Sequence, residues 1–460
     1  MYLTLCLIAK DENSYLQEWL DYHILLGVEH FWIYDNESTV PLADTLASYI
    51  DRGWVTINTI KGRSMQMFAY DHCVQTYGRD SKWIGFIDTD EFIVPHTTNS
   101  LRSFLEQFEP FGGLAISSLF FGTDGNKTRP IGGQIAGYQI RTPELFSNNR
   151  LVKMIVQPEK VIYPKDPHTF LFKETFFGVN EKGRRVDAQL YPCHVDSIQV
   201  NHYFTRSAEE WSEKKKRGKV ASTNAYADEN YLIVNKYSSI EDTRILDRLK
   251  CTLSGAPKNP TNWAKITQRN SPNLINLLHQ AAGKVNPPQF KRHESMEVFP
   301  RSEHSAYHKE TELGMKLIDE NKFREACELF ANQISRFPFE VTRYTNFAVA
   351  CIQLGDFQAA WPALAQAWRI APQSLSVLIA MIDYYYALGD YALAEKTSLL
   401  AASQGELEPV GIAVLALSQW KQGKIQEAIA TAQPVLLFMS KNKTNYPIFK
   451  ELVNLIQKVK

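Results

Sequence analysis

The sequence predicts an α/β sheet domain followed by an all-α solenoid of helical repeats. Over residues 1–251, strand-like apolar runs alternate with helical patterns, which is typical of β-α-β units and a mostly parallel sheet with helices on both faces. Over residues 305–460, sequence features recur with a fixed period, which is typical of stacked helix pairs. Residues 252–304 are rich in proline and predict a linker that contains one short helix.

Composition is that of an ordinary globular protein. The chain has 460 residues, about three times the usual domain length of roughly 150, and its 44% hydrophobic and 22% charged residues exclude disorder as the main state. Because 50 basic and 50 acidic residues balance, no overall charge draws the chain to nucleic acid. Any charged partner must therefore be bound locally.

The start of the chain and its cysteines predict a location. The apolar run at 2–9 is short and lacks a basic region before it, so we expect no signal peptide, and no apolar stretch is long enough to span a membrane. The six cysteines are scattered, without a CxxC pair, which favours reduced thiols. We expect a cytoplasmic protein, with peripheral contact to the inner face of the membrane as an option.

The C-terminal period is 34 residues. Asn321, Gly355, Gly389 and Gly423 share one register, and a buried-type alanine recurs five residues after each of them. This predicts a helix, a turn at glycine and a second helix that approaches closely at alanine. The segment 354–372, LGDFQAAWPALAQAWRIAP, resembles the tetratricopeptide (TPR) repeat. Such solenoids usually bind a partner on their concave face, although a structural cap or a self-association arm remains an alternative.

The strand ends of the sheet domain are where chemistry is expected, because ligands of α/β sheets bind at the carboxyl ends of strands. Acidic residues dominate these ends, and Asp88 and Asp90 follow the apolar run WIGFI. In an extended segment they would face the same side. Paired carboxylates there suit Mn²⁺ or Mg²⁺ that also binds substrate phosphates, although a solvated acidic turn is the plainer interpretation of Asp-x-Asp alone.

Four segments in order carry a family resemblance: KDENSYLQEWLDYHILLGVEHFWIYDNES, WIGFIDTDEFIVP, NRLVKMIVQPEKV and NHYFTRSAEEWSEKKKRGK. Together they resemble glycosyltransferase family 92 and its bacterial relatives that are related to the family 2 enzymes. The resemblance implies a Rossmann-like GT-A fold that binds a nucleotide sugar, usually UDP-linked. It also implies a divalent metal on the Asp-x-Asp motif and inversion at the anomeric carbon.

The same resemblance implies roles for individual residues. Asp88 and Asp90 would hold the metal that bridges the donor phosphates, and Asp35 would lie near the ribose or base. His202 is the best match for a third metal ligand, with His194 as the nearby rival, although a lone histidine on an apolar strand is more often a core residue. Two further donor-binding candidates follow the first strand, Lys10 and Glu12.

A basic run and one helix supply the remaining donor contacts. The run 214–219 is the largest local excess of positive charge; Lys214 and Arg217 would stabilise the leaving UDP, unless the run is only a solvated helix face. Gln66 and His72 precede the Asp-x-Asp strand and would approach the donor, although core or surface roles are equally open.

Inversion by single displacement requires a carboxylate that takes the proton of the acceptor hydroxyl. Three candidates are Glu91, next to the metal motif, Asp124, in the loop FGTDGNKTRP, and Glu174, after HTFLFK. Asp124 is preferred over Glu174 because its glycine-rich loop suits acceptor approach. An ordinary turn aspartate is the competing interpretation of Asp124.

The sequence therefore predicts a metal-dependent, inverting transfer of a sugar, with galactose as the first guess, from a UDP-sugar to a saccharide acceptor in surface polysaccharide or glycan synthesis. The helical repeats would bind a protein partner, the acceptor or a second copy. An alternative is a TPR adaptor with an inactive sheet domain. A nucleotidyltransferase is disfavoured because no glycine-rich phosphate loop follows the first strand.

Overall fold

The computed structural model describes residues 1–457 except 97–99, 174, 218–226, 255–262, 291, 299–301, 337, 339, 372–373, 405–406, 408 and 442–446. These residues form two compact units, Met1–His304 and Ser305–Lys460. We call them the sheet domain and the helical unit.

The strands of the sheet domain are β1 Leu3–Ala9, β2 His30–Asp35, β3 Val55–Ile60, β4 Trp83–Phe86, β5 Glu91–Pro95, β6 Gly113–Phe120, β7 Ile140–Arg141, β8 Val152–Val156, β9 Val161–Pro164, β10 Phe170–Phe172, β11 Gly178–Val179, β12 Arg185–Val186, β13 Ile198–His202, β14 Ile240–Glu241 and β15 Glu297–Val298. Its helices are α1 Asn13–Leu25, α2 Leu42–Thr45, α3 Ala47–Arg52, α4 Gln66–Tyr77, α5 Leu101–Leu105, α6 Gly133–Gly137, α7 Ala208–Arg217, α8 Asp228–Tyr237, α9 Arg244–Ser254, α10 Trp263–Ile266 and α11 Asn273–Ala282.

One large sheet carries the domain. Its strand order is β12-β11-β6-β8-β4-β1-β2-β3-β15, and β13 pairs with both β5 and β6. The centre is parallel, since β1 runs parallel to β2 and β4. Every residue of β1 is buried, as expected for a central strand that is covered on both faces. The parallel register brings the carboxyl ends of β1, β2 and β4 to one edge.

Most strand pairs of the sheet are parallel, as the sequence predicts, but the sheet also contains antiparallel pairs. Strand β8 lies antiparallel between β4 and β6, and β13 runs antiparallel to β5. A buried apolar run reads the same in either direction, so its pattern predicts a strand without giving its orientation. The antiparallel strands matter for the site, because they return side chains to the edge where β4 ends.

The proline-rich segment is part of the sheet domain over its described residues. Leu274, Leu278 and Ala282 on one face of α11 belong to the same apolar core as α1. Farther along, β15 adds a parallel strand beside β3. The apolar spacing of α11 explains this packing, so residues 263–298 cover the domain instead of serving as a free linker.

The helical unit consists of the helices α12 Ser302–Asp319, α13 Phe323–Arg336, α14 Val341–Leu354, α15 Phe357–Ile370, α16 Leu375–Leu388, α17 Tyr391–Gln404, α18 Pro409–Lys421, α19 Ile425–Lys441 and α20 Pro447–Gln457. Gly355 and Gly389 end their helices in the left-handed region, at φ 79° and 84°, which glycine adopts without a steric penalty. The recurring alanines, among them Ala360 and Ala394, are fully buried. The period therefore sets both the turns and the close helix contacts of a TPR-like solenoid.

Candidate functional site

The site is built on the turn between β4 and β5. The backbone N–H of Glu91 donates to the carbonyl of Asp88 at 3.1 Å, which closes a tight turn over Asp88–Glu91. Asp88 and Asp90 therefore lie on a turn, not on the extended segment that the sequence suggests. The two carboxylates bind different lysines.

Asp88 is the open carboxylate of the turn, with a side chain that is 35% exposed. One of its oxygens accepts from Lys153 Nζ at 2.7 Å and the other from Gln66 Nε2 at 3.2 Å. Gln66 is the first residue of α4. The carboxylate thus lies between a buried ammonium and solvent.

Lys153 is a buried lysine that the sequence analysis missed. It lies on β8, is 2% exposed, and also contacts Glu91 Oε2 at 3.1 Å. Burial by itself would lower the pKa of Lys153, but the charges of Asp88 and Glu91 raise it well above its usual value. The side chain is therefore a fixed positive charge beneath the turn.

Asp90 is buried and paired with a second lysine. Lys214 Nζ, from α7, donates to Asp90 Oδ2 at 2.8 Å, and His202 Nε2 lies 3.7 Å from the same oxygen. Burial would raise the pKa of Asp90, but Lys214, His202 and the nearby Arg206 hold it well below its usual range. Asp90 is therefore ionised at neutral pH.

His202 reaches the turn because β13 runs antiparallel to β5, in a register that places it opposite Glu91. Its Nδ1 lies 3.5 Å from Glu91 Oε1, and its ring packs against Phe120. The rival His194 lies elsewhere: its backbone N–H binds Ser117, and its Nε2 is buried without a partner.

Glu91, one of the predicted bases, is fully buried. Its Oε2 accepts the backbone N–H of Asp88 at 2.9 Å, and burial raises its pKa while Lys153 opposes the rise. These contacts make Glu91 a support for the turn and for His202. An acceptor sugar could reach it only after rearrangement of this core.

The end of β1 is tied to α7 through Glu12. The carboxylate of Glu12 binds Arg206 Nη1 at 2.7 Å and Arg217 Nη2 at 2.5 Å. Lys10 is half-buried at the same strand end. Gly218 and Lys219, the rest of the predicted basic run, lie outside the described residues. Two of the predicted donor-binding residues, Glu12 and Arg217, thus pair with each other.

Arg206 is the second buried cation that the sequence analysis missed. It is 6% exposed and has a φ of 49°, which is uncommon for a residue with a side chain. Its Nε donates to Gln134, whose amide in turn donates to the carbonyl of Thr89. Lys153 and Arg206 both lie in segments that carry the family resemblance, which was the available signal.

Four predicted residues have partners away from the turn or cannot be placed. Asp35 accepts the backbone N–H groups of Ser38 and Leu42, each at 2.9 Å, so both of its oxygens hold the entry to α2. Asp124 pairs with Arg269 and accepts from Gln139 N at 3.1 Å. Glu174 lies outside the described residues. His72 contacts Tyr34 rather than the turn, at 2.7 Å.

A sheet with a parallel centre, carrying carboxylates and lysines where its strands end, is typical of α/β enzymes that bind phosphate-bearing ligands at that edge. The sequence profile of glycosyltransferase family 92 matches residues 2–232, just over half of the chain. The chain belongs to this family.

Proteins of the same family are among the curated relatives of the chain. A glycosyltransferase family 92 protein of Ricinus communis is 25% identical over 264 residues, which is 54% of this chain and 46% of that protein. A galactan beta-1,4-galactosyltransferase of Arabidopsis thaliana is 26% identical over 114 residues, which is 23% of this chain and 22% of that protein. The chain spans less than half the length of these relatives.

Two solved structures show weak similarity to part of the chain. A TPR protein of Thermus thermophilus is 15% identical, with a TM-score of 0.28, over 46% of this chain and 90% of its own. A structure described as the functional characterization of Pseudomonas aeruginosa pilF is also 15% identical, with a TM-score of 0.26, over 47% of this chain and 82% of its own. Likenesses at this level say nothing about what the chain binds.

In the described part of the chain, no helix is long and apolar enough to cross a membrane.

The side chains at the turn fit a divalent cation that is held jointly with a ligand. Among the described residues, no three histidine, cysteine, aspartate or glutamate side chains form a group that could hold a metal by themselves. However, Mg²⁺ and Mn²⁺ sites often use one or two carboxylates together with substrate phosphates and water. Asp88 and Asp90 supply such carboxylates and His202 an imidazole, provided that Lys214 gives up its contact with Asp90.

Proposed function

We propose that this chain transfers a sugar from a UDP-sugar to a hydroxyl group of a saccharide acceptor, with a divalent cation and with inversion at the anomeric carbon. The observation that carries the proposal is the Asp88–Asp90 turn, where two carboxylates meet Lys153, Lys214 and His202 at the carboxyl edge of the sheet. Family membership supplies the reaction class. The galactan beta-1,4-galactosyltransferase among the relatives supports galactose as the first sugar to test.

The cation would be Mn²⁺ or Mg²⁺, held by Asp88, Asp90 and His202, and when bound it would neutralise charge on the diphosphate as the bond to the sugar breaks. Lys153 keeps Asp88 and Glu91 fixed throughout, because it is buried and bonded to both. Lys153 therefore holds the turn in one geometry. Electrostatic stabilisation of a leaving group requires charged groups that are fixed in this way before the reaction.

Lys214 is proposed to change partner when the donor binds. Its ammonium neutralises Asp90 at 2.8 Å in the structure, and the diphosphate would bring new negative charge to the same place. Lys214 then stabilises the leaving UDP from α7. Arg217, on the same helix and bonded to Glu12, would hold the end of β1 against that helix and share the phosphate charge.

The acceptor hydroxyl loses its proton to a carboxylate as the sugar migrates. Asp124 and Glu174 are the candidates for this base, since Glu91 is fully buried. Asp124→Asn and Glu174→Gln distinguish them: loss of turnover with unchanged donor affinity identifies the base. Unchanged turnover in both variants would move the role to another residue.

The helical unit is proposed to bind the acceptor, a protein partner or a second copy, which would place the acceptor reaction in a larger assembly of polysaccharide or glycan synthesis. Its TPR-like helix pairs support a binding role. A cytoplasmic setting is supported by the cysteines, since all six are free thiols.

Removal of residues 305–460 tests the role of the helical unit: it should leave donor hydrolysis intact and weaken transfer to the acceptor or assembly. Unchanged acceptor kinetics and oligomeric state would contradict the role.

The direct test is a thermal-shift screen of UDP, UDP-galactose, UDP-glucose and UDP-N-acetylglucosamine with and without Mn²⁺, followed by release of UDP from whichever sugar nucleotide stabilises the protein. We expect stabilisation only when nucleotide and Mn²⁺ are both present, and its loss in Asp88→Asn. Activity that needs no metal and persists in Asp88→Ala and Asp90→Ala would overturn the proposal.

A further inference from the structure

Two thiols of consecutive helices touch each other in the helical unit. Cys327 lies on α13 and Cys351 on α14, and their sulfur atoms are 3.4 Å apart. Cys351 is 1% exposed, whereas Cys327 is half-buried. Cys327 packs against two apolar clusters, one shared by α14 to α16 and one formed by α12, α13 and α14. The pair therefore lies where the first helix pair of the unit meets the second.

We propose that Cys327 and Cys351 are a site of reversible disulfide formation, which locks the first helix pair to the second when a two-electron thiol oxidant reaches Cys327. The oxidant is hydrogen peroxide or a small disulfide such as oxidised glutathione. A disulfide has a sulfur–sulfur distance of about 2.05 Å, so the sulfurs must approach by roughly 1.4 Å.

The chemistry begins at the accessible sulfur. With peroxide, the Cys327 thiolate attacks one oxygen, becomes a sulfenic acid and releases the other oxygen as water after protonation. The Cys351 thiolate then attacks the sulfenic sulfur and expels hydroxide, which takes up a proton. Two thiols and one peroxide thus give one disulfide and two waters. With oxidised glutathione, a mixed disulfide on Cys327 is displaced by Cys351, and both glutathiones leave as thiols.

Burial sets the speed of the reaction. It raises the pKa of both thiols, so little thiolate is present at neutral pH, and the reaction accelerates as the pH rises. The second step is faster despite the small amount of thiolate, because Cys351 already touches Cys327 and no second molecule has to diffuse to it. A slow first step and a fast second step mean that the mixed disulfide on Cys327 should not accumulate.

The remaining cysteines supply internal controls. Cys6 and Cys73 are also close enough to influence each other, but both are 0% exposed in the core of the sheet domain, so proximity there comes without access. Cys251 on α9 is exposed, so it has access. Only the pair in the helical unit combines sulfur contact with an entry route among these residues.

The lock has a physical consequence. Repeats of a solenoid contact only their neighbours, so the terminal pair opens most readily. A disulfide between α13 and α14 restricts the unfolded chain and ties that terminal pair down. The oxidised protein should therefore exchange amide hydrogens more slowly in α13, and its helical unit should melt about 3 °C higher or more.

The test uses the full chain, equilibrated with reduced and oxidised glutathione, alkylated and digested with trypsin. We expect one linked pair of peptides, 325–336 and 344–369, two hydrogen atoms lighter than their sum, and absent in Cys327→Ser and in Cys351→Ser. The rise in melting temperature should follow the link and be missing in Cys327→Ser after the same treatment. Cys6 and Cys73 should stay reduced until the protein is denatured.

Two results would overturn the proposal. One is glutathione on Cys251 under conditions that leave both Cys327 and Cys351 as free thiols in the folded protein. The other is a stable glutathione adduct on Cys327 with Cys351 still reduced, because it would show that the sulfurs cannot close the bond. Neither result depends on the sugar transferred, since no donor or acceptor is present.

Discussion

The two units of the molecule differ in how far apart in the sequence their buried charged partners lie. In the sheet domain, Asp90, Glu91, Lys153 and Arg206 are at most 6% exposed, and they come from segments that are far apart in the chain. In the described part of the helical unit, a buried pair such as Glu340 and Arg343 is local, three residues apart along one chain segment. Burying charges is unfavourable unless each is paired. A cluster assembled from distant segments despite this is a mark of function, whereas a local pair fits a structural role.

The largest expected effect tests whether the buried charges of the sheet domain serve the reaction. If the proposed function holds, release of UDP from the preferred donor should fall by about 10²–10³-fold in Asp90→Asn, because this change removes the carboxylate that pairs with Lys214 and that is proposed to hold the cation. The control is Asp228→Asn, whose side chain is 61% exposed and pairs with Lys215. Wild-type turnover in folded Asp90→Asn would separate the charge cluster from catalysis.

The next effect concerns stability. Lys153→Met leaves Glu91 buried without its cation and should lower the free energy of unfolding of the sheet domain by about 3–5 kcal/mol. In the helical unit, Lys421→Met removes an exposed ion pair with Glu451, 3.2 Å long, and should lower it by less than about 1 kcal/mol. Urea titration read by hydrogen exchange of peptides from each unit measures both. Equal losses of unfolding free energy in the two variants would contradict the difference proposed between the buried charges of the sheet domain and the exposed pair of the helical unit.

Two buried histidines of the sheet domain and one aspartate of the helical unit should contribute to the pH dependence of stability with opposite signs. Burial lowers the pKa of His23 and His30 in the sheet domain to about 3. A lowered folded pKa means that stability is present above the unfolded value near 6.5 and is lost as the pH falls, by about 2 kcal/mol per histidine at pH 5. In the helical unit, burial raises the pKa of Asp383 to about 6, so its contribution is present below about pH 4 and is lost as the pH rises through 6.

The same peptide-resolved measurement from pH 7.5 to 5 checks these signs. The contribution of His23 and His30 should be lost on acidification while that of Asp383 is gained, and Asp383→Asn should abolish the gain in the helical unit. A helical unit that weakens in parallel with the sheet domain would contradict the assignment.

The smallest effect probes the turns of the helical unit. Gly355 has a φ of 79° with no atom within 4 Å of an added Cβ, so Gly355→Ala is strained only in its backbone and should destabilise the unit by about 1 kcal/mol. Asn321 occupies the equivalent place at a φ of 59°. Gly355→Asn should therefore be milder than Gly355→Ala. If urea titration shows a larger loss of stability for Gly355→Asn than for Gly355→Ala, side-chain contacts rather than backbone strain determine the loss.

Much of the fold follows from local patterns. The apolar runs predicted the central strands, and Trp19, Trp32 and Trp83 are core residues at 0% exposed. The antiparallel direction of β8 and the packing of α11 were not predictable, because direction and docking depend on contacts between distant segments. The extended geometry expected at Asp88 and Asp90 also failed, since a hydrogen bond of the turn outweighs the alternation of a strand.

The sequence by itself determined the alternation of strands and helices, the 34-residue register and the carboxylates at the strand ends, because each depends on neighbours in the chain. Only the tertiary structure decided which cations meet those carboxylates. Lys153 arrives on an antiparallel strand and Lys214 on a helix 124 residues from Asp90, and long-range pairing of this kind has no local signature. The same holds for the contact between Cys327 and Cys351, which exists because two helices pack.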